Sequence, residues 1–173
     1  MSGSSACTDG LHAFAARAFA DWRGLLSPCL IEDVLQVFTP QDEWTGAGTL
    51  GSNALAASYR FCHVPSYAAP VRVWFAGSEV RLIEAEGPLE GMSFTQLTRQ
   101  LGEPEARLDS WYGFAAVEKG EWVYAAKGIA VSCGPSGREI SRLYVFAPMP
   151  VRDYVRNLRI DQRQRPLPEA RRS

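Results

Sequence analysis

Residues 91–146 carry the pattern that most constrains the fold of this chain. Gly91-Met92-Ser93 opens a short amphipathic stretch, Leu101-Gly102-Glu103-Pro104 closes it, and runs of strand-forming residues follow as far as Phe146. Residues 27–83 repeat this order of helix, turn and strands more faintly. An order of elements that recurs along a chain is typical of repeated structural units. The sequence therefore predicts two related half-domains of roughly 65 to 75 residues each.

Composition narrows the class of protein. The chain has 173 residues, of which 46% are hydrophobic and 21% charged, so it can bury one sizeable core or two small fused ones. No apolar run approaches the roughly 20 residues that a transmembrane helix needs. The formal net charge is −1, so the chain does not have the excess of basic residues that is typical of nucleic-acid-binding domains. Residues 1–10 have neither the basic nor the apolar part of a secretory signal, so we expect a cytoplasmic protein without membrane or nucleic-acid partners.

Apolar spacings of three and four residues predict four helices. Serine and proline at helix starts, and glycine and proline at helix ends, set their bounds. In the third helix, Ser93 and Gln96 have the spacing of a capping box, and Leu97 and Leu101 form its buried stripe. The four predicted helices cover residues 9–26, residues from Ser27-Pro28 to Pro40, residues from Ser93 to Leu101, and residues from Pro150 onward.

Seven segments are rich in strand-forming residues or alternate with a period of two. They cover residues 57–62, 70–76, 78–85, 111–117, 121–125, 128–133 and 139–147. Helices followed by runs of adjacent strands are typical of an α+β fold with an antiparallel sheet. We expect two tandem repeats, each a helix on an antiparallel sheet, with the first helix as an amphipathic addition. The predicted units are a disordered terminus at 1–8, half-domains at 9–88 and 89–158, and a flexible basic tail at 159–173.

The second half of the chain resembles a known family. Residues 88–147 are similar to the repeat of BamE-type (SmpA/OmlA) small lipoproteins, and the same architecture occurs as a tandem pair in β-lactamase inhibitor protein. The resemblance rests on Gly91-Met92-Ser93, Leu97, Leu101-Gly102, Pro104, Trp122, Tyr124 and Val145-Phe146. It implies short helices packed on one face of an antiparallel sheet, in a non-enzymatic binding protein.

Alternation along the strands predicts where that binding takes place. If the aliphatic residues of each strand meet the helices, aromatic residues and arginines collect on the opposite face. Aromatic residues and arginine are enriched at interface hot spots. We expect this face to bind a protein partner or a small apolar or aromatic ligand, with a homodimer interface or an ordinary core as alternatives. Its members are Tyr59, Phe61, Arg72, Trp74, Trp122, Tyr124, Arg142, Tyr144 and Phe146.

The alternative function is a small cofactor-free enzyme of the isomerase or cyclase type. It would use His63, Asp109 or Glu121 as an acid or base in an aromatic-lined pocket, because burial beside an aromatic ring can raise the pKa of a carboxyl group. No triad, metal motif or cofactor motif accompanies these residues. We therefore expect no cofactor and no metal.

Two further patterns have ordinary explanations. The four cysteines, Cys7, Cys29, Cys62 and Cys133, lack any short C-x-x-C spacing, so buried free thiols are expected. Residues 46–51 contain G-x-G-x-x-G, but no hydrophobic strand precedes them, as a dinucleotide site would require. A flexible loop or an irregular edge strand is the interpretation of this segment.

Overall fold

The computed structural model describes residues 5–26, 28–87, 89–108, 120–134 and 137–160. These ranges form four α-helices and an eight-stranded sheet. The elements are α1 (Ser5–Ala15), α2 (Ile31–Val37), β1 (Thr39–Leu50), β2 (Leu55–His63), β3 (Val71–Ala76), β4 (Glu79–Glu86), α3 (Phe94–Leu101), β5 (Ala106–Leu108), β6 (Glu121–Tyr124), β7 (Ile129–Cys133), β8 (Ile140–Phe146) and α4 (Val151–Asn157).

The strands lie in the order β1-β2-β3-β4-β8-β7-β6-β5, and every neighbouring pair is antiparallel. Strands β1–β4 therefore form one meander and β5–β8 another. The two meanders join where β4 pairs with β8, for example Leu82 with Phe146 and Glu86 with Arg142. The prediction of an α+β fold with antiparallel strands is confirmed.

Helices lie on both faces of this sheet. We call the face that packs against α1, α2 and α3 the inner face, and the face that packs against α4 the outer face. Leu97 and Leu101 of α3 are buried at the inner face, as predicted, together with Phe14 of α1 and Val34 of α2. Tyr154 of α4 is buried at the outer face. The sheet is thus a middle layer with an apolar cluster on each side.

Helix α1 differs from its prediction at both ends. It begins at Ser5, within the segment expected to be disordered, and ends at Ala15 instead of residue 26. Arg17 has a left-handed φ of 53°, and the Ala18 N–H donates to the Ala13 carbonyl at 2.9 Å, which is a Schellman-type ending. Phe19, Trp22 and Leu25 are nevertheless buried, because the irregular segment that follows packs on the same core. The spacing of three residues between Phe19, Trp22 and Leu25 therefore reflects their burial in the core and does not mark a helix.

A disulfide joins α1 to the segment before α2. The Cα atoms of Cys7 and Cys29 lie 5.3 Å apart, within the usual range for such a bond. The prediction of free thiols is wrong for this pair, because a separation of 22 residues without a short motif gives no local signal. Cys62 and Cys133 are buried thiols.

The other helix bounds follow local chemistry to different degrees. Helix α3 begins where predicted, with the Ser93 hydroxyl accepting from the Gln96 N–H at 3.2 Å and the Gln96 side chain accepting from the Ser93 N–H at 3.0 Å. Helix α2 begins at Ile31, later than the Ser27-Pro28 start that was predicted. There the Asp33 carboxylate, in the third helical position, accepts from the N–H of the N-cap residue Leu30 at 3.0 Å, and Leu30 has no side-chain oxygen to cap the helix.

Six of the predicted strands correspond to β2, β3, β4, β6, β7 and β8. The prediction at 111–117 and the basic tail from residue 161 onward lie outside the described residues. Strand β5 was not predicted, and β1 was predicted only as one of two interpretations of its glycine-containing part. The glycine-containing segment near residue 46 is part of the long strand β1 at one edge of the sheet, and β5 forms the other edge.

Helix α4 is held against the turn between β1 and β2. The N–H groups of Gly51, Ser52 and Asn53 donate to the carbonyls of Arg159, Val155 and Arg156 at 2.9 to 3.1 Å. These bonds pair several of the carbonyls that a helix end leaves without intrahelical partners. Gly51 has a φ of 69°, and a Cβ there would lie 2.0 Å from the Arg156 carbonyl oxygen, so only glycine fits.

Candidate functional site

An arginine lies among three aromatic rings on the outer face, on β2 and β3. The Arg72 guanidinium is 4.9 Å from the ring centroids of Tyr59 and Phe61 and 5.7 Å from that of Trp74. Tyr59 and Phe61 meet edge to face at 5.9 Å, and Tyr59 lies 4.8 Å from Trp74. We call Tyr59, Phe61, Arg72, Trp74 and Glu84 the Arg72 cluster.

Glu84, on the neighbouring strand β4, holds Arg72 and Trp74 in position. Its carboxylate is 1% exposed, lies 3.4 Å from the Arg72 guanidinium and accepts from the Trp74 indole N–H at 3.3 Å. Arg72 keeps 23% of its side chain exposed, so the side chain is in part accessible to a partner. Sequence reasoning missed Glu84. The available signal was a single acidic residue within the apolar run Leu82-Ile83-Glu84-Ala85, because a buried charge requires a partner.

Glycines on edge strand β1 make room for the aromatic rings. Gly46 pairs with Tyr59, and a Cβ there would lie 2.3 Å from the Tyr59 hydroxyl oxygen. A Cβ on Gly48 would lie 3.2 Å from the Trp74 ring. Glycine within a strand often marks such a close approach. The G-x-G segment therefore lies in an edge strand, one of its two interpretations, and its glycines accommodate ring packing.

Three other predicted residues share the outer face but are buried. Phe146 stacks on Tyr154 of α4 with ring centroids 4.5 Å apart, and Tyr144 is 2% exposed in the same cluster. Arg142, which precedes Tyr144 by two residues on β8, is 7% exposed. These three residues are therefore buried on the outer face and are not available to a binding partner.

Trp122 and Tyr124 lie on the inner face, which corrects the prediction that they share a face with Trp74. The Trp122 ring packs against Phe94 of α3 with centroids 4.8 Å apart, and the Tyr124 hydroxyl lies 3.5 Å from that of Thr98. Val123 and Glu121 are the residues of β6 that face outward. Alternation shows which residues share a side, but only the docking of α3 decided which side of β6 lies on the inner face.

The acid–base candidates do not converge in the described part of the chain. His63 is exposed at the end of β2, and Asp109 lies outside the described residues. Glu121 is buried and accepts from the Tyr154 hydroxyl at 2.5 Å and from Arg159 at 3.2 Å. Burial and the Glu121 charge raise the pKa of Tyr154 well above its ordinary value. Glu121 thus connects β6 to α4 and to Arg159, the first residue of the predicted tail.

Neither a metal site nor a membrane span is found in the described ranges. No group of three or more His, Cys, Asp and Glu side chains there could hold a metal ion. None of the described helices is both long enough and apolar enough to cross a membrane. Burial raises the pKa of the Cys62 thiol to about 11, and the nearby Arg60 cation lowers it by a smaller amount. The thiol is therefore protonated at neutral pH.

Comparison with protein-family models, with curated proteins and with solved structures gives no match for this chain. The arguments for function therefore come from the geometry of the Arg72 cluster.

Proposed function

We propose that this chain is a non-enzymatic binding module that recognises a protein partner through the Arg72 cluster. The observation that carries the proposal is the Arg72 guanidinium held 4.9 Å from both the Tyr59 and Phe61 rings, with all three side chains partly exposed. Arginine and large aromatic residues are the types most often found at interface hot spots.

The cluster is suited to binding because it is already ordered. Glu84 pairs with Arg72, and neighbouring rings limit the rotamers of Tyr59. Side chains fixed before binding lose less conformational entropy when a partner docks. Buried Glu84 also prevents Arg72 from turning away into solvent, since that would leave a buried carboxylate without this partner.

The chemistry of the surface indicates what the partner presents. A guanidinium offers several N–H donors in a planar fork that suits a carboxylate, and the flanking rings offer apolar area. We infer that the partner contributes an Asp or Glu side chain with an apolar neighbour. A second copy of this chain is the alternative partner.

The tandem architecture belongs to the same proposal. Two four-stranded meanders, each preceded by a helix at the inner face, are related by the central pairing of β4 with β8. This order supports a pair of BamE-like repeats, the arrangement expected for an inhibitor-like binding protein. The division at residues 88 and 89 falls between β4 and α3.

We also propose a compartment that differs from the cytoplasm expected from the sequence. Disulfides persist in oxidising compartments and are rare in the cytosol. The Cys7–Cys29 bond therefore favours an oxidising compartment over the cytoplasm for the folded protein.

The test begins with affinity capture and continues with purified components. The captured partner is identified, purified and titrated against wild type, Tyr59→Ala, Arg72→Ala and Arg152→Ala. Arg152 is the matched control, because it is a 74% exposed arginine on α4 outside the cluster. We expect Tyr59→Ala and Arg72→Ala each to weaken binding about 30-fold or more, and Arg152→Ala to have no effect.

Circular dichroism melting shows that each variant is folded before its affinity is compared. Sedimentation of the protein alone tests the homodimer, since Arg72→Ala should shift a dimer toward monomer if two copies meet at the cluster. Equal affinity of wild type and both cluster variants for the purified partner would exclude the Arg72 cluster as the binding surface.

A further inference from the structure

A cavity of about 430 Å³ lies at the end of the sheet that carries the β1–β2 and β3–β4 turns. This volume is within the roughly 300 to 1,000 Å³ typical of small-molecule sites. Its walls come from two strand turns, the segment after β8, the end of α4 and the irregular segment before α2. The main wall residues are Leu25, Leu50, Leu55, Val80, Met149 and Leu158.

The backbone around this cavity is hydrogen-bonded, so the cavity is part of the folded architecture. The Leu25 N–H donates to the Phe146 carbonyl at 2.9 Å, and the Val80 N–H donates to the Cys29 carbonyl at 2.7 Å. Cys29 also carries the disulfide to α1 and lines the cavity. On the far side, the Gly51 turn holds α4 in place.

The lining indicates the chemistry of a ligand. Most of the described wall is apolar, made of leucines, alanines and a valine together with Met149 and Cys29, and it contains no aromatic ring. Such a wall suits a saturated chain better than a planar ligand. Leu55 is 47% exposed, so part of its apolar surface is in contact with water at the edge of the cavity. A bound chain would cover it.

Polar groups line one part of the cavity. Arg81 is 46% exposed and lies 3.4 Å from the Glu79 carboxylate, and both residues contribute to the lining. Arg81 is therefore a cation at the boundary between apolar wall and solvent, where an amphiphile would place an anionic head.

We propose that this cavity binds one aliphatic carboxylate of medium chain length, with its tail against the leucines and its head at Arg81. The site shares no residue with the Arg72 cluster, so it is an additional binding activity. It does not depend on the function proposed above.

The proposal is tested by titrating the full chain with decanoate in a calorimeter, below the concentration at which decanoate aggregates. Decanol and benzoate serve as comparison ligands. Ala76→Leu and Ala147→Leu fill the cavity from two half-buried positions, and Ala47→Leu is the control on exposed strand β1. We expect one decanoate per chain and about tenfold or greater weakening in both filled variants.

The control Ala47→Leu and the cluster variant Arg72→Ala should bind decanoate like wild type. Arg81→Gln should weaken decanoate several-fold and leave decanol unchanged, which separates head recognition from tail burial. Thermal melting identifies the filled variants that fold, and either one suffices for the test. No saturable decanoate binding, benzoate binding of equal strength, or equal weakening by Ala47→Leu would overturn the proposal.

Discussion

At the scale of single residues, one buried thiol and two buried tyrosine hydroxyls have raised pKa values, which makes the stability of the fold sensitive to alkaline pH. Burial raises the pKa of Cys62 to about 11, and it raises the pKa of Tyr67 above its ordinary value despite the nearby Arg17 cation. Tyr154 is shifted in the same direction by burial and by Glu121. In each case the neutral form is the one that the folded protein accommodates.

The sign of the resulting pH dependence follows from linkage. A folded-state pKa raised above the unfolded value contributes stability that is present below the unfolded pKa and is lost as pH rises through the folded pKa. For Cys62 this window runs from about 9 to about 11. We expect the free energy of unfolding, measured in urea, to fall across this window.

Cys62→Ala provides the matched variant for this prediction. It should lower stability at neutral pH, because it leaves a cavity, but its stability should decline less steeply between pH 9 and pH 11 than that of wild type. Parallel curves for the two proteins would show that Cys62 does not contribute to the alkaline transition.

At the scale of elements, local capping fixes one helix and tertiary contacts fix another. Helix α3 has reciprocal Ser93 and Gln96 bonds at its start and Gly102 with a φ of 84° at its end. Helix α1 ends at Ala15, and the chain turns away at Arg17 with a left-handed φ that is uncommon for a residue other than glycine. There the Arg17 side chain donates to the Ser66 and Glu90 carbonyls and stacks over the Tyr67 ring at 4.8 Å.

Removal of the α3 cap gives a prediction at this scale. Ser93→Ala deletes the hydroxyl that accepts from the Gln96 N–H and should lower the free energy of unfolding by about 1 kcal/mol. Thr95→Ala, at an exposed position in the same helix, is the control and should change stability little. Equal effects of the two substitutions in chemical denaturation would contradict a stabilising cap at Ser93.

At the scale of the whole molecule, long-range connections tie the N-terminal and C-terminal helices to the sheet. The disulfide closes a separation of 22 residues and anchors α1 beside the segment that lines the cavity. At the other end, Tyr154 and Arg159 bond to Glu121 of β6, and α4 bonds to the β1–β2 turn. Both helices are therefore coupled to residues far away in the chain.

Loss of the disulfide should destabilise the whole molecule. For a loop of this length, the entropy model predicts a decrease of about 3 kcal/mol in the free energy of unfolding. The measurement is urea unfolding of wild type with and without a reducing agent, beside the Cys7→Ser, Cys29→Ser double variant. The reduced wild type should resemble the variant, and the variant should not respond to reductant. If the reducing agent left the free energy of unfolding of the wild type unchanged, the disulfide would not stabilise the protein.

Much of the architecture could be predicted from local sequence. The α+β class, the antiparallel strands, the bounds of α3 and the burial of Leu97 and Leu101 were all predicted correctly. Along β8, alternation separated Leu143 and Val145 from Tyr144 and Phe146, which lie on opposite faces. These features depend on capping, turn chemistry and side-chain period, which are interactions between residues close in the chain.

Tertiary structure decided the features that depend on contacts between distant segments. Alternation could not specify whether Trp122 or Val123 of β6 would meet α3, because both sides of a strand are equivalent until helices dock. The partners of Glu84 and the Cys7–Cys29 bond likewise arise from segments brought together by folding. The sequence by itself determined most of the helices and strands and the spacing of apolar residues along them. Only the packed sheet decided which aromatic residues are core and which surround Arg72, because burial depends on which elements cover each face.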